Sequence, residues 1–232
     1  MKLFPACGHA ALVVLALLLP AAAATPRPAA KTAAASAPVA GHLPAYVVKG
    51  FRSALFGQNQ AAVTGAIGKD FGIKPAQIQR LTVPGDGTTA LSITVPQMDP
   101  APGPATVTYV FGKTGSLIHV NVVWLLDTPD VVQRSQLVEA GVKLSTYFQA
   151  FSWNTGKSVR NLPTGPNSVS MFLGRDNAGG VVEVSAQGVS FNRVENGRNV
   201  ASPTPNGPAR LRIAYGSANE ASGVIKITPG QF

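Results

Sequence analysis

The chain has 232 residues, 45% of them hydrophobic, with nineteen Lys and Arg against ten Asp and Glu for a net charge of +9. That apolar share excludes a wholly disordered chain, and the basic residues are dispersed with no Lys or Arg run, which argues against nucleic-acid binding. Cys7 is the single cysteine, so the rest of the chain has no thiol for disulfides or thiolate metal sites.

Lys2 is followed by the apolar run Ala10 to Leu19, then Pro20 and four alanines. A charged start, an apolar middle and small residues predict a secretory signal peptide over residues 1–24, cleaved near Ala24. The run falls short of the roughly 20 residues that a bilayer span needs. Cys7 precedes it and so cannot be a lipoprotein acceptor. The expected location is periplasmic or secreted, with no transmembrane span. Losing Lys2 leaves eighteen basic and ten acidic residues, a balance of +8. Residues 25–45, rich in Pro and Ala with little to bury, predict a disordered tether.

Tyr46 to Gly57 offers Val48, Phe51, Leu55 and Phe56 for packing. Asn59 stands as a helix cap before Val63, Ala66, Ile67 and Phe71 at helical spacing, and Gly72 is placed to stop the helix. The spacing predicts a helix over Gln60 to Asp70. Ile78 to Val83 reads as a short strand, Pro84 to Gly87 as a turn, and Thr89 to Val95 as a strand with Leu91, Ile93 and Val95 on one side. Pro96, Pro100, Pro102 and Pro104 force an irregular connection, because proline donates no ladder hydrogen bond. Ala105 to Trp124 then alternates on both sides of Lys113-Thr114-Gly115, the signature of a β-hairpin.

In the second half Thr128 can cap a helix, Pro129 suits its first position and Asp130 faces the positive dipole end. Val131, Val138, Val142, Leu144, Tyr147, Phe148 and Phe151 supply its apolar face, and Gly141 is placed to divide it. Strands are expected at Ser158 to Leu162, at Arg210 to Tyr215 and near Val224 to Ile227, with a loop over Asn192 to Pro208. A second hairpin runs from Asn167 to Gly188. Aligned on the first, it sets Val169, Met171 and Leu173 under Val107, Tyr109 and Phe111, and Val182, Val184 and Ala186 under Ile118, Val120 and Val122. The predicted fold is α+β: two helix-plus-antiparallel-meander repeats, 46–126 and 127–232, with helices packed on one face of the sheet.

Chemistry is sparse. No Gly-x-Ser-x-Gly elbow occurs, and Gly85-Asp86-Gly87 lies between apolar strands rather than before a helix. His119 is the one imidazole beyond His42 of the tether and His9 of the leader, and no His, Cys or carboxylate cluster accompanies it. No catalytic, cofactor-binding or metal-binding residue is predicted. The outward sheet face is expected to carry short polar side chains, among them Ser92, Thr94, Ser170 and Ser185. Thr106, Thr108, His119, Asn121, Glu183, Arg210 and Arg212 are its candidate partner-binding residues, with Trp124 and Trp153 as candidate anchors.

The segment Phe56-Gly57-Gln58-Asn59-Gln60-Ala61-Ala62-Val63, with its glycine, cap and valine, together with the two hairpins, resembles the repeat of the β-lactamase-inhibitory-protein fold. It is also similar to that of the SmpA/OmlA-type outer-membrane assembly lipoproteins. Members of that fold act by binding proteins. The resemblance therefore implies a non-catalytic protein-binding module, which with the expected export reads as an accessory subunit or assembly factor of an envelope complex; size, compartment and the absence of a cofactor motif suggest, as one case, the small subunit of a membrane-bound periplasmic dehydrogenase. An inhibitor of a secreted hydrolase and a small-molecule or glycan binder are the competing readings.

Overall fold

The computed structural model describes residues 43–82, 88–191, 193–200 and 205–218. The expected signal peptide, most of the tether, the Pro84 to Gly87 turn and the Val224 to Ile227 strand lie outside these residues. In chain order the elements are β1 (Leu43–Ala45), β2 (Gly50–Phe51), β3 (Ala54–Leu55), α1 (Gln60–Phe71), a 3-10 turn (Pro75–Gln77), β4 (Gln79–Thr82), β5 (Thr89–Val95), β6 (Ala105–Phe111) and β7 (Leu117–Leu126). There follow α2 (Val131–Gln149), β8 (Phe151–Ser152), β9 (Ser158–Gly165), β10 (Ser168–Arg175), β11 (Val181–Gln187), β12 (Arg193–Glu195), β13 (Arg198–Val200) and β14 (Ala209–Gly216).

Eight of these strands form one antiparallel sheet in the order β4-β5-β6-β7-β14-β11-β10-β9, so the fold is α+β. Reading outward from the central β7–β14 pair, each half retraces its chain order: 7, 6, 5, 4 on one side and 14, 11, 10, 9 on the other. Both predicted hairpins are paired ribbons, but they occupy different places. Ala105 to Trp124 supplies the innermost two strands of its half, whereas Asn167 to Gly188 supplies the second and third of the other.

The sheet's inner side follows from alternation. Leu91 and Ile93 of β5, Val107, Tyr109 and Phe111 of β6, Val120, Val122 and Trp124 of β7, Leu211 and Ile213 of β14, and Val182, Val184 and Ala186 of β11 are all buried. Two predicted matches fail. In the β6–β7 ladder a bulge pairs Phe111 with Leu117, which takes the core place expected for Ile118. A bulge between Ser170 and Phe172 leaves Met171 without a register partner, so Phe172 pairs with Val184 on the buried side and Leu173 opposes Glu183 on the other. One extra residue reverses the facing of everything beyond it. Phe172 is thus the core residue and Leu173 is only half-buried.

Helix α1 starts where Asn59 accepts a hydrogen bond from Ala62 N and ends at Gly72, whose φ of 67° is a left-handed stop that favours glycine. Val63, Ala66 and Ile67 are buried. At α2 the cap is Asp130, not Thr128: its carboxylate accepts from Gln133 N and Gln133 reaches back to Asp130 N, a capping box that starts the helix at Val131. Gly141 does not divide α2. A Cβ there would stand 2.4 Å from Met171 Sδ and 3.2 Å from Leu211 Cδ1, so glycine lets the helix lie close on the sheet. Ser145 Oγ donates to Met171 O at 3.1 Å beside it. The buried face is Arg134, Leu137, Ala140, Gly141, Ser145 and Phe148, while the expected face residues Val131, Val142 and Tyr147 are exposed.

Two further differences concern connections. Leu43–Ala45, read as the end of a tether, pairs in parallel with Phe151–Ser152, and Tyr46 stacks on Trp153 at 5.0 Å. The segment expected to open the first half therefore packs among second-half aromatics. The loop expected over Asn192 to Pro208 contains the β12–β13 hairpin.

Candidate interaction face

The side of the sheet opposite Trp124 and Leu211 is built by the alternate residues of the same strands. Its centre is on β7, β14 and β11. The register sets Thr108 across from Asn121, Val110 across from His119, Ser185 across from Arg212 and Glu183 across from Ala214. Seven of the predicted residues fall on this face: Thr106, Thr108, His119, Asn121, Glu183, Arg210 and Arg212.

Arg212 organises the centre. Its Nε donates to Asn121 Oδ1 at 2.8 Å and its Nη1 to Glu183 Oε2 at 3.4 Å. The same Asn121 oxygen lies 3.0 Å from His119 Nε2. Because guanidinium nitrogen only donates, the Asn121 atom must be the carbonyl oxygen, and His119 Nε2 must then carry a proton. Arg210, two residues along β14, donates through Nη2 to Gln187 Oε1. On β5 and β6, Ser92 Oγ and Thr108 Oγ1 are 3.4 Å apart, a weak bond at the edge of the usual range. The Arg212 and Glu183 side chains are 30% and 28% exposed, so both ends of the ion pair are reachable from solvent.

Ser92 and Ser170 lie on this side but are buried, and Ser170 Oγ has no hydrogen-bond partner among the described residues. They are not contact groups. Trp124 is excluded more strongly: it is 1% exposed in the core, with Nε1 donating to Met98 O at 2.9 Å. Trp153 belongs to an aromatic cluster with Tyr46, Phe148 and Phe172, and its Nε1 donates to Phe148 O at 2.8 Å. Neither tryptophan is on the polar face, because each closes a packed cluster instead. Sequence reading missed Leu125, exposed beside Arg210, and Leu173, which the bulge turns outward.

This face can recognise by hydrogen bonding and charge. Two arginines retain guanidinium donors beyond the bonds above, and a carboxylate can take two of them at once. Among the described residues no group of three or more His, Cys, Asp or Glu is placed to hold a metal ion. Among them, too, no helix is long and apolar enough to cross a membrane. The chain matches no protein-family model. It likewise matches no curated protein and no solved structure.

Proposed function

We propose that the protein is an exported, non-catalytic binding module that docks a protein partner through the outer face of its sheet, as an accessory subunit or assembly factor in the cell envelope. The observation that carries this reading is the Arg212–Asn121–His119–Glu183 cluster. It is a pre-ordered polar centre bordered by Thr106, Thr108 and Ser185, with Arg210 and Leu125 beside it. Ordered side chains lose less freedom on association, which favours their use as contacts. In the same reading the two halves are related copies of a helix and a four-stranded meander. The mirrored strand order supports that relation, with β4 to β7 answering to β9, β10, β11 and β14 rather than hairpin to hairpin as the sequence alone aligned them.

The test is co-purification from envelope extract with three proteins: the wild type, Arg212→Glu and the control Lys143→Glu on an exposed position of α2. A stoichiometric partner retained by the wild type and the control and lost with Arg212→Glu is expected. A partner held equally by all three, or none held by any, overturns the reading.

A further inference from the structure

We infer that a cleft at the start of α2 binds a small monocarboxylate with an apolar body, its carboxylate on Arg134 and its body on Val131, Val138 and Val189. This site is remote in sequence and chemistry from the outer sheet face and does not rest on the docking proposal.

Arg134 is buried, only 7% exposed. A guanidinium carries five N–H donors. Here Nη1 donates to Gly188 O and Nη2 to Gly207 O, the latter at 2.6 Å, and among the described residues no carboxylate contacts it. Carbonyls satisfy hydrogen bonds but do not neutralise the charge. A buried charge without a counter-ion is costly, so the environment favours an anion that completes it.

Two openings meet at this side chain. One, of about 310 Å³, is lined by Val131, Arg134, Ser135, Val138, Glu139, Val189 and Ser190. The other, of about 350 Å³, shares Val131 and Arg134 and is bounded by Pro129, Asp130 and Gly207. The first is at the small end of ordinary ligand sites, and its three valines and one buried cation describe an amphiphile rather than a free inorganic anion. The helix dipole is not the source of attraction, because Asp130 already occupies the end of α2 and accepts from Gln133 N. Glu139 is exposed on the rim, which directs the anionic end inward to Arg134 and away from the mouth.

Octanoate is the probe, with octanol and inorganic phosphate as comparators, titrated calorimetrically into the full chain. Saturable one-to-one binding of octanoate is expected, with at least tenfold weaker binding of octanol and of phosphate. Ser135→Trp fills the cleft from an exposed helix position and should abolish binding while leaving the circular dichroism unchanged. Arg134→Lys keeps the charge but loses the planar fork, and should weaken octanoate about tenfold. Absence of saturable binding, octanol binding as well as octanoate, phosphate binding as well as octanoate, or full binding by folded Ser135→Trp would each overturn the assignment. Should Arg134→Lys fail to fold, the octanol comparison and Ser135→Trp still decide.

Discussion

Asp176 offers the sharpest test of how the chain is closed. It is 3% exposed, and its two oxygens serve two different parts of the molecule: Oδ1 accepts from Gly180 N in its own turn, and Oδ2 accepts from Val48 N, 128 residues away, both at 2.8 Å. Replacing it with Ala removes two bonds to a charged acceptor and leaves two buried N–H groups without partners. At about 1.5–3 kcal/mol for each such bond, the gross loss is about 3–6 kcal/mol. Part returns, because a buried carboxylate with no cation in contact among the described residues no longer has to be desolvated. We expect a net loss of about 3 kcal/mol, a large share of the roughly 5–15 kcal/mol of a typical domain. Asp176→Asn keeps one carbonyl acceptor but turns an amide donor toward the other N–H, so it should fall between Ala and the wild type.

Urea unfolding followed by the fluorescence of buried Trp124 and half-buried Trp153 gives these free energies, and hydrogen exchange at Val48 and Gly180 locates them. Both amides should lose protection in Asp176→Ala. A loss below about 1 kcal/mol, with the Val48 amide still protected, would refute the claim that this carboxylate fastens the segment after β1 to the β10–β11 turn.

Gly174→Ala should destabilise by about 2 kcal/mol or more in the same urea assay, because its Cβ would lie 2.6 Å from two atoms of the Trp153 ring and 2.7 Å from Phe172 Cζ, and fused rings cannot bend away as Met171 could for Gly141. Asn59→Ala, removing the cap on Ala62 N, should cost about 1 kcal/mol, with Asn59→Asp near neutral. Burial, and then the nearby Tyr147, push the Tyr46 phenol up from 10.0 to about 12. A raised pKa favours the protonated native state, so this contribution is complete below pH 10 and is lost as pH rises through 12. Tyr46→Phe should therefore flatten the fall in stability between pH 10 and 12, measured by urea midpoints.

Much of the framework was legible because local chemistry and tertiary packing agree. Asn59, the apolar stripe and Gly72 specify α1 without help from elsewhere, and the alternation in Ala105 to Trp124 specifies a ribbon whose turn is closed by Gly115 at φ 73°. The second helix was harder to read. Three residues in its opening turn could each cap or begin it, and the choice fell to Asp130 because Gln133 completes a box that Thr128 cannot. Its buried face was misread for a different reason. Periodicity weights large apolar side chains and found Phe148, but it missed Leu137 and the small or polar residues Ala140, Gly141 and Ser145, of which the last two lie against Met171 of β10 and let the helix come close to the sheet.

The same reasoning explains what of the candidate face could be seen in advance. Alternation alone placed Thr106, Thr108, His119, Asn121, Glu183, Arg210 and Arg212 together, since period two fixes the side of a strand once its register is known. Register is where sequence runs out. Nothing in Ser168 to Arg175 distinguishes an unbroken strand from one with an extra residue at Met171; both present an apolar side chain inward, Leu173 in the first and Phe172 in the second. Packing decides, because Phe172 stacks on Phe148 of α2 at 5.8 Å and meets Trp153 at 5.2 Å, contacts that a leucine on that side could not reproduce. The bulge is thus set by an aromatic partner more than twenty residues away in the chain, and it is this distant contact that delivers Leu173, rather than a core side chain, to the face opposite the helix.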